Sequence, residues 1–185
     1  MYKKILILNI FFFHFFLNTW ADDKQSIINY LLGINNFSFS FEQVTEEKIE
    51  TGNCLLVFDN KLKCDYDDKM QKEMIINDKK LVILQKRYDK IYFYPISKSL
   101  LLNILNKEKL INLIQKSELM LNEKIELNYT DENKRKIKIF FKKTNYELIG
   151  WVMEDKFQNE IYFSIKIEAI NTKVDNKNFK IPSIY

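Results

Sequence analysis

Hydrophobic and polar residues alternate through the first half of the chain with the two-residue period of a β-strand. Phe37, Phe39 and Phe41 alternate with polar neighbours in the longest such stretch. Polar breaks separate the shorter stretches that follow, and residues 77–80 (Asn-Asp-Lys-Lys) suit a hairpin turn. Those stretches predict strands at 53–58, 62–66, 73–76, 81–85 and 90–94. Hairpins joined in succession predict a curved antiparallel sheet that can enclose apolar material.

Residues with helical spacing stand on both sides of these strands. A helix is predicted over residues 26–34, with Ser26 as its N-cap. Leucine and isoleucine between residues 97 and 117 predict two short amphipathic helices that meet near Asn106, and a single bent helix is the alternative. Further strands are predicted at 124–129, 137–141, 147–153, 161–170 and 179–181. We therefore expect a single α+β domain spanning residues 22–185.

The beginning of the chain has the pattern of an export signal. Two lysines precede an apolar stretch over residues 5–17, and the small residues Thr19 and Ala21 occupy the positions that a signal peptidase reads. A membrane anchor is the alternative, but the stretch is shorter than the ~20 residues of a spanning helix, and Asn9 and His14 interrupt it. The pattern predicts a signal peptide over residues 1–21 and an exported, soluble mature protein.

The composition of the mature chain argues against an enzyme. His14 is the single histidine and leaves with the signal peptide, which excludes histidine-based catalytic triads and the common zinc sites. Gly-rich phosphate loops are absent, so no cofactor is expected. The net charge of +4 falls to +2 without the two leading lysines, so we expect no nucleic-acid partner. Basic residues over 134–143 indicate either a solvated strand face or a surface for anionic headgroups or an acidic partner.

The chain has two cysteines, Cys54 and Cys64. With the intervening turn centred on Asp59, they face each other across neighbouring strands. An exported, oxidising compartment favours a disulfide between them, and free thiols in the core are the alternative. Because the pair lacks the spacing of a thioredoxin-type motif, we do not expect redox catalysis.

Several motifs, in order, resemble those of the periplasmic outer-membrane lipoprotein carrier proteins. Residues 37–43 are similar to the family's aromatic strand, and 52–55 (Gly-Asn-Cys-Leu) to its Gly-x-Leu-Trp strand. Residues 62–66 resemble its Phe-Arg-Trp-x-Tyr segment, and 76–80 its Val-Ser-Asp-Gly-Lys turn. Near the end, residues 174–182 resemble the closing Asp-x-x-x-Phe-x-x-x-Pro pattern. The resemblance extends over nearly the whole mature chain.

This resemblance implies a strongly curved, incompletely closed antiparallel β half-barrel whose concave apolar face is covered by helices. It also implies a monomeric periplasmic chaperone that binds the acyl chains of lipoproteins. The cargo would come from an ATP-driven inner-membrane transporter and pass to an outer-membrane acceptor lipoprotein. A periplasmic lipid-sensing regulatory protein of the same fold is the alternative.

Alternation along the predicted strands selects the residues that face the acyl chains. That set comprises Phe39, Phe41, Leu56, Phe58 and Leu62, with Leu101 or Leu105 from the helical lid.

At the hairpin after residue 57, the family usually has a basic residue that can bond to the lid. Here Phe58 is followed by Asp59, so we expect Phe58 to pack beneath the lid instead. Lys63 stands at the place of the family's second basic residue, where its ammonium would hold the lid less specifically than a guanidinium.

Overall fold

The computed structural model describes residues 19–46, 48–58, 60–78, 80–96, 100–154 and 159–182. Residues 1–18, most of the predicted signal peptide, lie outside the described residues. Within the described ranges, no helix combines the length and the apolarity needed to cross a membrane.

In the described part of the chain, eleven antiparallel strands form one sheet, in the order β6-β5-β4-β3-β2-β1-β11-β10-β9-β8-β7. The strands are β1 (Asn36–Thr45), β2 (Lys48–Val57), β3 (Lys61–Tyr66), β4 (Lys72–Asn77), β5 (Lys80–Gln85), β6 (Lys90–Pro95), β7 (Glu118–Leu121), β8 (Ile125–Thr130), β9 (Lys136–Phe141), β10 (Leu148–Glu154) and β11 (Glu160–Ile170). The sheet is strongly curved but not closed, because β6 and β7 form its two ends. The predicted half-barrel is confirmed.

Five turns join the strands from β1 to β6, and each contains a described residue with positive φ; in three of them that residue is asparagine or aspartate. Asn60, Asp78 and Asp89 take φ angles of 71°, 55° and 50°. Asparagine and aspartate tolerate this conformation because their short side chains can hydrogen-bond locally. In the β4–β5 turn, which corresponds to the hairpin predicted at residues 77–80, Asp78 is the residue with positive φ.

Three α-helices pack against the concave face: α1 (Thr19–Leu32), α2 (Leu101–Leu105) and α3 (Lys107–Lys116). We call α2 and α3 the lid. The chain is extended at Asn106 (φ −109°, ψ 119°), so the lid consists of two helices, as predicted. The Asn106 side chain caps α3 by accepting a hydrogen bond from the Lys109 backbone N–H at 3.0 Å.

Two predicted elements differ from the structure, and one strand was not predicted. Helix α1 starts at Thr19, so Ser26 lies within it rather than capping it, since no glycine or proline breaks the chain before Ser26. Strand β7 was missed because its four residues are too few to show a period. The end of the chain forms a 3-10 helix over Asn176–Phe179 instead of a strand at 179–181.

We call residues 171–182 the C-terminal strap, because they cross the outer face of the sheet. Asn171 fastens the start of the strap by donating from its side chain to the Gly33 carbonyl at 2.7 Å. Lys61 donates to the Asn176 side chain at 3.2 Å, and Asn77 donates to the Phe179 carbonyl at 3.2 Å. Buried Phe179 therefore packs outside the sheet, on the side opposite the helices.

Candidate functional site

The strand register aligns apolar side chains on the concave face into two rows that run from β1 to β6. The first row is Phe37, Leu56, Leu62, Ile76, Leu81 and Tyr94. The second row is Phe39, Cys54, Cys64, Met74, Ile83 and Tyr92. Neither row contains a charged residue, so together they form a continuous apolar floor across six strands.

Burial changes systematically along both rows. The side chains on β1, β2 and β3 are buried beneath the helices, whereas those on β5 are only partly buried. At the edge strand β6, Tyr92 and Tyr94 are 38% and 48% exposed. The lid thus covers the centre of the sheet and leaves the β6 end of the apolar floor open to solvent.

The lid and α1 complete an apolar core over the covered part of the rows. Leu105 of α2 and Leu110 and Ile114 of α3 are fully buried, as are Ile27 and Leu31 of α1. These side chains share one cluster with the rows on β1–β4. Insertion of an acyl chain between them therefore requires the lid to move outward.

All seven side chains predicted to face acyl chains lie in or against this core. Phe39, Phe41, Leu56, Phe58, Leu62 and Leu105 are buried, and Leu101 is partly buried and packs against the others. Their contact with acyl chains stays a prediction.

The second row contains a disulfide between Cys54 and Cys64. The two residues are direct partners in the β2–β3 register, as expected from a turn near Asp59, and their Cα atoms are 4.1 Å apart. Both cysteines are buried and Cys54 lies opposite Phe39. The disulfide therefore links β2 to β3 within the core.

A third row, which the sequence reasoning largely missed, is a series of stacked aromatic rings. The ring of Phe41 lies edge-on to Tyr66, with 4.9 Å between ring centroids, and is stacked on Phe163 at the same distance. Phe163 is in turn stacked on Trp151 at 4.6 Å. Gly52 lies between Phe41 and Tyr66 in the register, and its missing side chain allows their rings to meet.

Polar residues lie next to this aromatic row, at the end of the apolar interior. Lys72 forms an ion pair with Glu50, and its Nζ lies 3.6 Å from the centre of the Tyr66 ring. Burial raises the pKa of Glu50, but hydrogen bonds from Lys48 and Lys72 outweigh that effect and hold the pKa below its usual value. Burial, reinforced by the Glu50 charge, raises the pKa of Tyr66. The Tyr66 hydroxyl hydrogen therefore stays in place and donates to Gln43 at 3.4 Å.

The lid is fastened to the sheet at the β2–β3 turn by both apolar and polar contacts. Phe58 is buried, with its ring centroid 6.1 Å from that of Phe37, and the Nζ of Lys107 lies 5.3 Å from the Phe58 ring centre. Phe58 therefore packs beneath the lid, as expected. The backbone N–H of Asn60 also donates to the carbonyl of Leu105, the last residue of α2, at 3.1 Å. This backbone hydrogen bond was not predicted, because the expectations for the lid rested on side chains alone.

Lys63 does not reach the lid, which corrects the expectation drawn from its position. It alternates with buried Leu62 and Cys64, so its side chain lies on the outer face of the sheet. There its Nζ lies 3.5 Å from carboxylate oxygens of Asp65 and Glu73.

Polar side chains line a cavity of about 550 Å³ at the β3–β4 hairpin. Its lining includes Asp65, Asp67, Asp68, Lys72 and Lys86. These charges suit a hydrated site and not a hydrocarbon chain. Among the described residues, no group of three or more histidine, cysteine, aspartate or glutamate side chains is arranged to hold a metal ion.

Comparison with known sequences identifies one family. Residues 33–182 match the family described as outer membrane lipoprotein carrier protein LolA. No curated protein matches the sequence.

Solved structures with a similar fold come from several bacteria. A LolA superfamily protein from Nitrosomonas europaea has 10% identity, with 85% of this chain and 97% of that chain covered and a TM-score of 0.42. An uncharacterised conserved protein from Thermus thermophilus has 7% identity, coverage of 88% and 94%, and a TM-score of 0.51. MucB has 10% identity, coverage of 88% and 64%, and a TM-score of 0.51. At such identities the two matches with a TM-score of 0.51 show the fold alone.

Proposed function

Because this chain belongs to the family of outer membrane lipoprotein carrier proteins, we propose that it is a periplasmic chaperone for lipoproteins. It binds the acyl chains of lipoproteins released by an ATP-driven transporter in the inner membrane. It then delivers them to an acceptor lipoprotein at the outer membrane. The protein acts by binding and release and catalyses no reaction.

The observation that carries this proposal is the apolar floor of two uncharged rows beneath a lid whose buried side chains are apolar. The rows supply a largely apolar surface, and the lid contributes Leu105, Leu110 and Ile114 from above. One backbone hydrogen bond, from Asn60 to Leu105, joins the lid to the β2–β3 turn. Opening the lid at this turn breaks that bond and exposes a large apolar surface.

The energetics of lipid transfer favour such an interior. Exposing an acyl chain to water costs about 0.8 kcal/mol per methylene, so a chain of about fifteen carbons is held in a membrane by roughly 12 kcal/mol. A carrier has to offset most of this cost, yet it must release the chain at its destination. In this protein the residues of the closed core repack against one another when the lid closes, which favours release.

Native mass spectrometry of the protein isolated from the periplasm tests the proposal. We expect a population with a mass increase that matches a triacylated lipoprotein. We expect this population to be larger in Phe58→Ala, because a weaker contact beneath the lid disfavours the closed form that releases cargo. As a matched control, Tyr162→Ala removes an exposed aromatic side chain on β11 and leaves the bound population unchanged. Isolation of the protein without acylated cargo, from cells with active lipoprotein export, would contradict the carrier function.

The alternative of a lipid-sensing regulator predicts a different bound species. In that case the protein would retain free lipid or a segment of a membrane protein and would not transfer lipoprotein to acceptor-bearing membranes. The same spectra distinguish the two functions by the mass and identity of the bound molecule.

A further inference from the structure

The edge strand β6 exposes apolar side chains on both of its faces. Tyr92 and Tyr94 point to the concave side, and Ile91 and Phe93 to the outer side, because they alternate in the register with β5. All four are exposed, Phe93 to 44%, and Tyr88 in the preceding turn is 53% exposed. Five large apolar side chains within seven residues is a concentration that soluble surfaces rarely display without a partner.

Cationic side chains flank this aromatic strand at both ends. Arg87 and Lys90 lie at its start, and Lys80 pairs with Pro95 at its end; all three are exposed. Residues 78–95 contain five basic and two acidic residues, a net charge of +3. The opposite sheet edge, β7, also exposes Met120 and Leu121 but begins with Glu118 and carries no basic residue.

Tyrosine at the centre with lysine and arginine at the margins is the composition that favours the interface of an anionic bilayer. Tyrosine rings settle at the depth of the headgroups, and cations are attracted by anionic lipids. Phe93 and Ile91 can enter the acyl boundary, while the backbone of an edge strand has to stay within reach of water. The strand therefore suits shallow insertion and not a membrane span.

The exposed strand is also continuous with the protected interior. Tyr94 and Tyr92 are the last members of the two apolar rows, which continue through Leu81 and Ile83 towards the disulfide and β1. We propose that the β6 edge, with Tyr88, Arg87, Lys90 and Lys80, docks this protein on the surface of an anionic phospholipid membrane. If the protein carries acyl chains as proposed above, this docking places the open end of the apolar floor at the membrane.

The charge on the β5–β6 hairpin argues against a second copy of this chain as the occupant. Pairing of β6 with itself would bring two hairpins of net charge +3 together, whereas an anionic bilayer attracts the same charge. A protein partner would have to be acidic as well as apolar.

Flotation with empty vesicles tests docking independently of lipoprotein transfer. Vesicles of phosphatidylcholine with phosphatidylglycerol should bind the protein, and vesicles of phosphatidylcholine alone should bind it much less. Tyr92→Ser with Tyr94→Ser should lower the partition coefficient about tenfold. Arg87→Glu with Lys90→Glu should lower it at least about fivefold for each charge. Raising the salt from about 0.1 to 1 M should weaken wild-type binding, because it shortens the screening length.

Matched controls distinguish binding through β6 from nonspecific binding by other exposed apolar or basic residues. Met120→Ser with Leu121→Ser changes two exposed apolar residues at the opposite edge, and Lys136→Glu with Lys143→Glu reverses two exposed charges in the basic stretch 134–143. Both control variants should bind as the wild type does. Circular dichroism establishes that each variant is folded, and mass spectrometry establishes that all share the same N-terminus.

Three outcomes would overturn the proposal. The first is absence of binding to phosphatidylglycerol vesicles, and the second is an equal loss of binding in the control variants. The third is a dimer in light scattering that Tyr92→Ser with Tyr94→Ser dissociates, which would show that β6 pairs with a second copy. If a variant lost vesicle binding but still transferred lipoprotein, membrane docking through β6 would have no role in transfer. The proposed carrier function would be unaffected.

Discussion

Gly52 is the residue that allows the aromatic row to form. A Cβ atom at this position would lie 2.2 Å from the Asp65 carbonyl oxygen and 2.9 Å from the Phe41 ring. Neither atom can move away, because the first belongs to a paired strand and the second to a stack with Phe163. Gly52 therefore sets the distance between β2, β3 and the rings.

We predict that Gly52→Ala lowers the free energy of unfolding by about 1 to 3 kcal/mol, the usual cost of overpacking. Gly33→Ala is the matched control, since a Cβ there would meet the Tyr30 carbonyl at 3.5 Å, an ordinary contact. Urea unfolding followed by circular dichroism measures both. Equal stabilities of the two variants would mean that the strands adjust around Gly52.

Glu50 makes the stability of the interior depend on pH. Its pKa lies below the ordinary value of 4.5 in the folded protein, because bonds from Lys48 and Lys72 outweigh burial. A lowered pKa means that the carboxylate stabilises the fold above its unfolded pKa and loses that contribution as the pH falls through the folded value.

We predict that unfolding free energy falls less between pH 7 and acid in Glu50→Gln than in the wild type, since glutamine cannot be protonated. Glu132→Gln, in the exposed turn before β9, is the control. Urea titrations at a series of pH values give the comparison. If the wild type and Glu50→Gln lost stability in parallel, the ion pair with Lys72 would not contribute.

At the scale of elements, the β2–β3 turn and the lid act together. Phe58 lies beneath the lid, and two residues further on the Asn60 N–H bonds to the end of α2. We predict that Phe58→Ala lowers the unfolding free energy by about 3 kcal/mol and increases hydrogen exchange in α2 and α3. Phe93→Ala, at an exposed phenylalanine, should change neither quantity measurably. Unchanged exchange in α3 after Phe58→Ala would show that Phe58 has no role in closure.

The strands and the paired cysteines were predictable because they depend on local order. Alternation assigned Leu62 and Cys64 to one face, and a short turn then determined which residues oppose each other. Aspartate and asparagine marked three of the turns with positive φ, as Asp78 does, whereas Glu46 and Gln71 gave no such signal in two others.

The missed features depend on contacts between distant parts of the chain. The Asn60–Leu105 bond uses backbone atoms, which any residue except proline can supply at the donor position, so no side-chain pattern signals it. Residues 179–181 of the strap were predicted as a strand because Phe179 and Ile181 alternate with polar residues. The structure instead fastens the strap by the Asp175 cap and by Asn77, which donates to it from β4.

At the scale of the whole molecule, the curvature of the sheet gives its two faces different roles. Phe39 and Leu62 lie on the concave face beneath the helices, whereas Ser38 and Ser40 lie on the outer face of β1. If the concave face receives acyl chains, only side chains on that face can contact them.

We predict that photo-crosslinking amino acids at Phe39 and Leu62 capture lipoprotein in cells, and that the same groups at Ser38 and Ser40 do not. Immunoblotting of the crosslinked products for lipoproteins measures capture. Capture of similar strength at all four positions would show that the cargo does not distinguish the two faces.

The pairing of β1 with β11 at the centre of the sheet also determines when the protein can fold. This pair joins the two ends of the domain, from Phe37 with Ile170 to Thr45 with Ile161. Asn171, which fastens the strap beside it, is 138 residues from its partner Gly33. Pairings of such high contact order form late and only when both strands are available. Before the ribosome has released residue 170, the chain therefore cannot form the β1–β11 pair at the centre of the sheet. Such a chain can still pass in unfolded form through a narrow export channel.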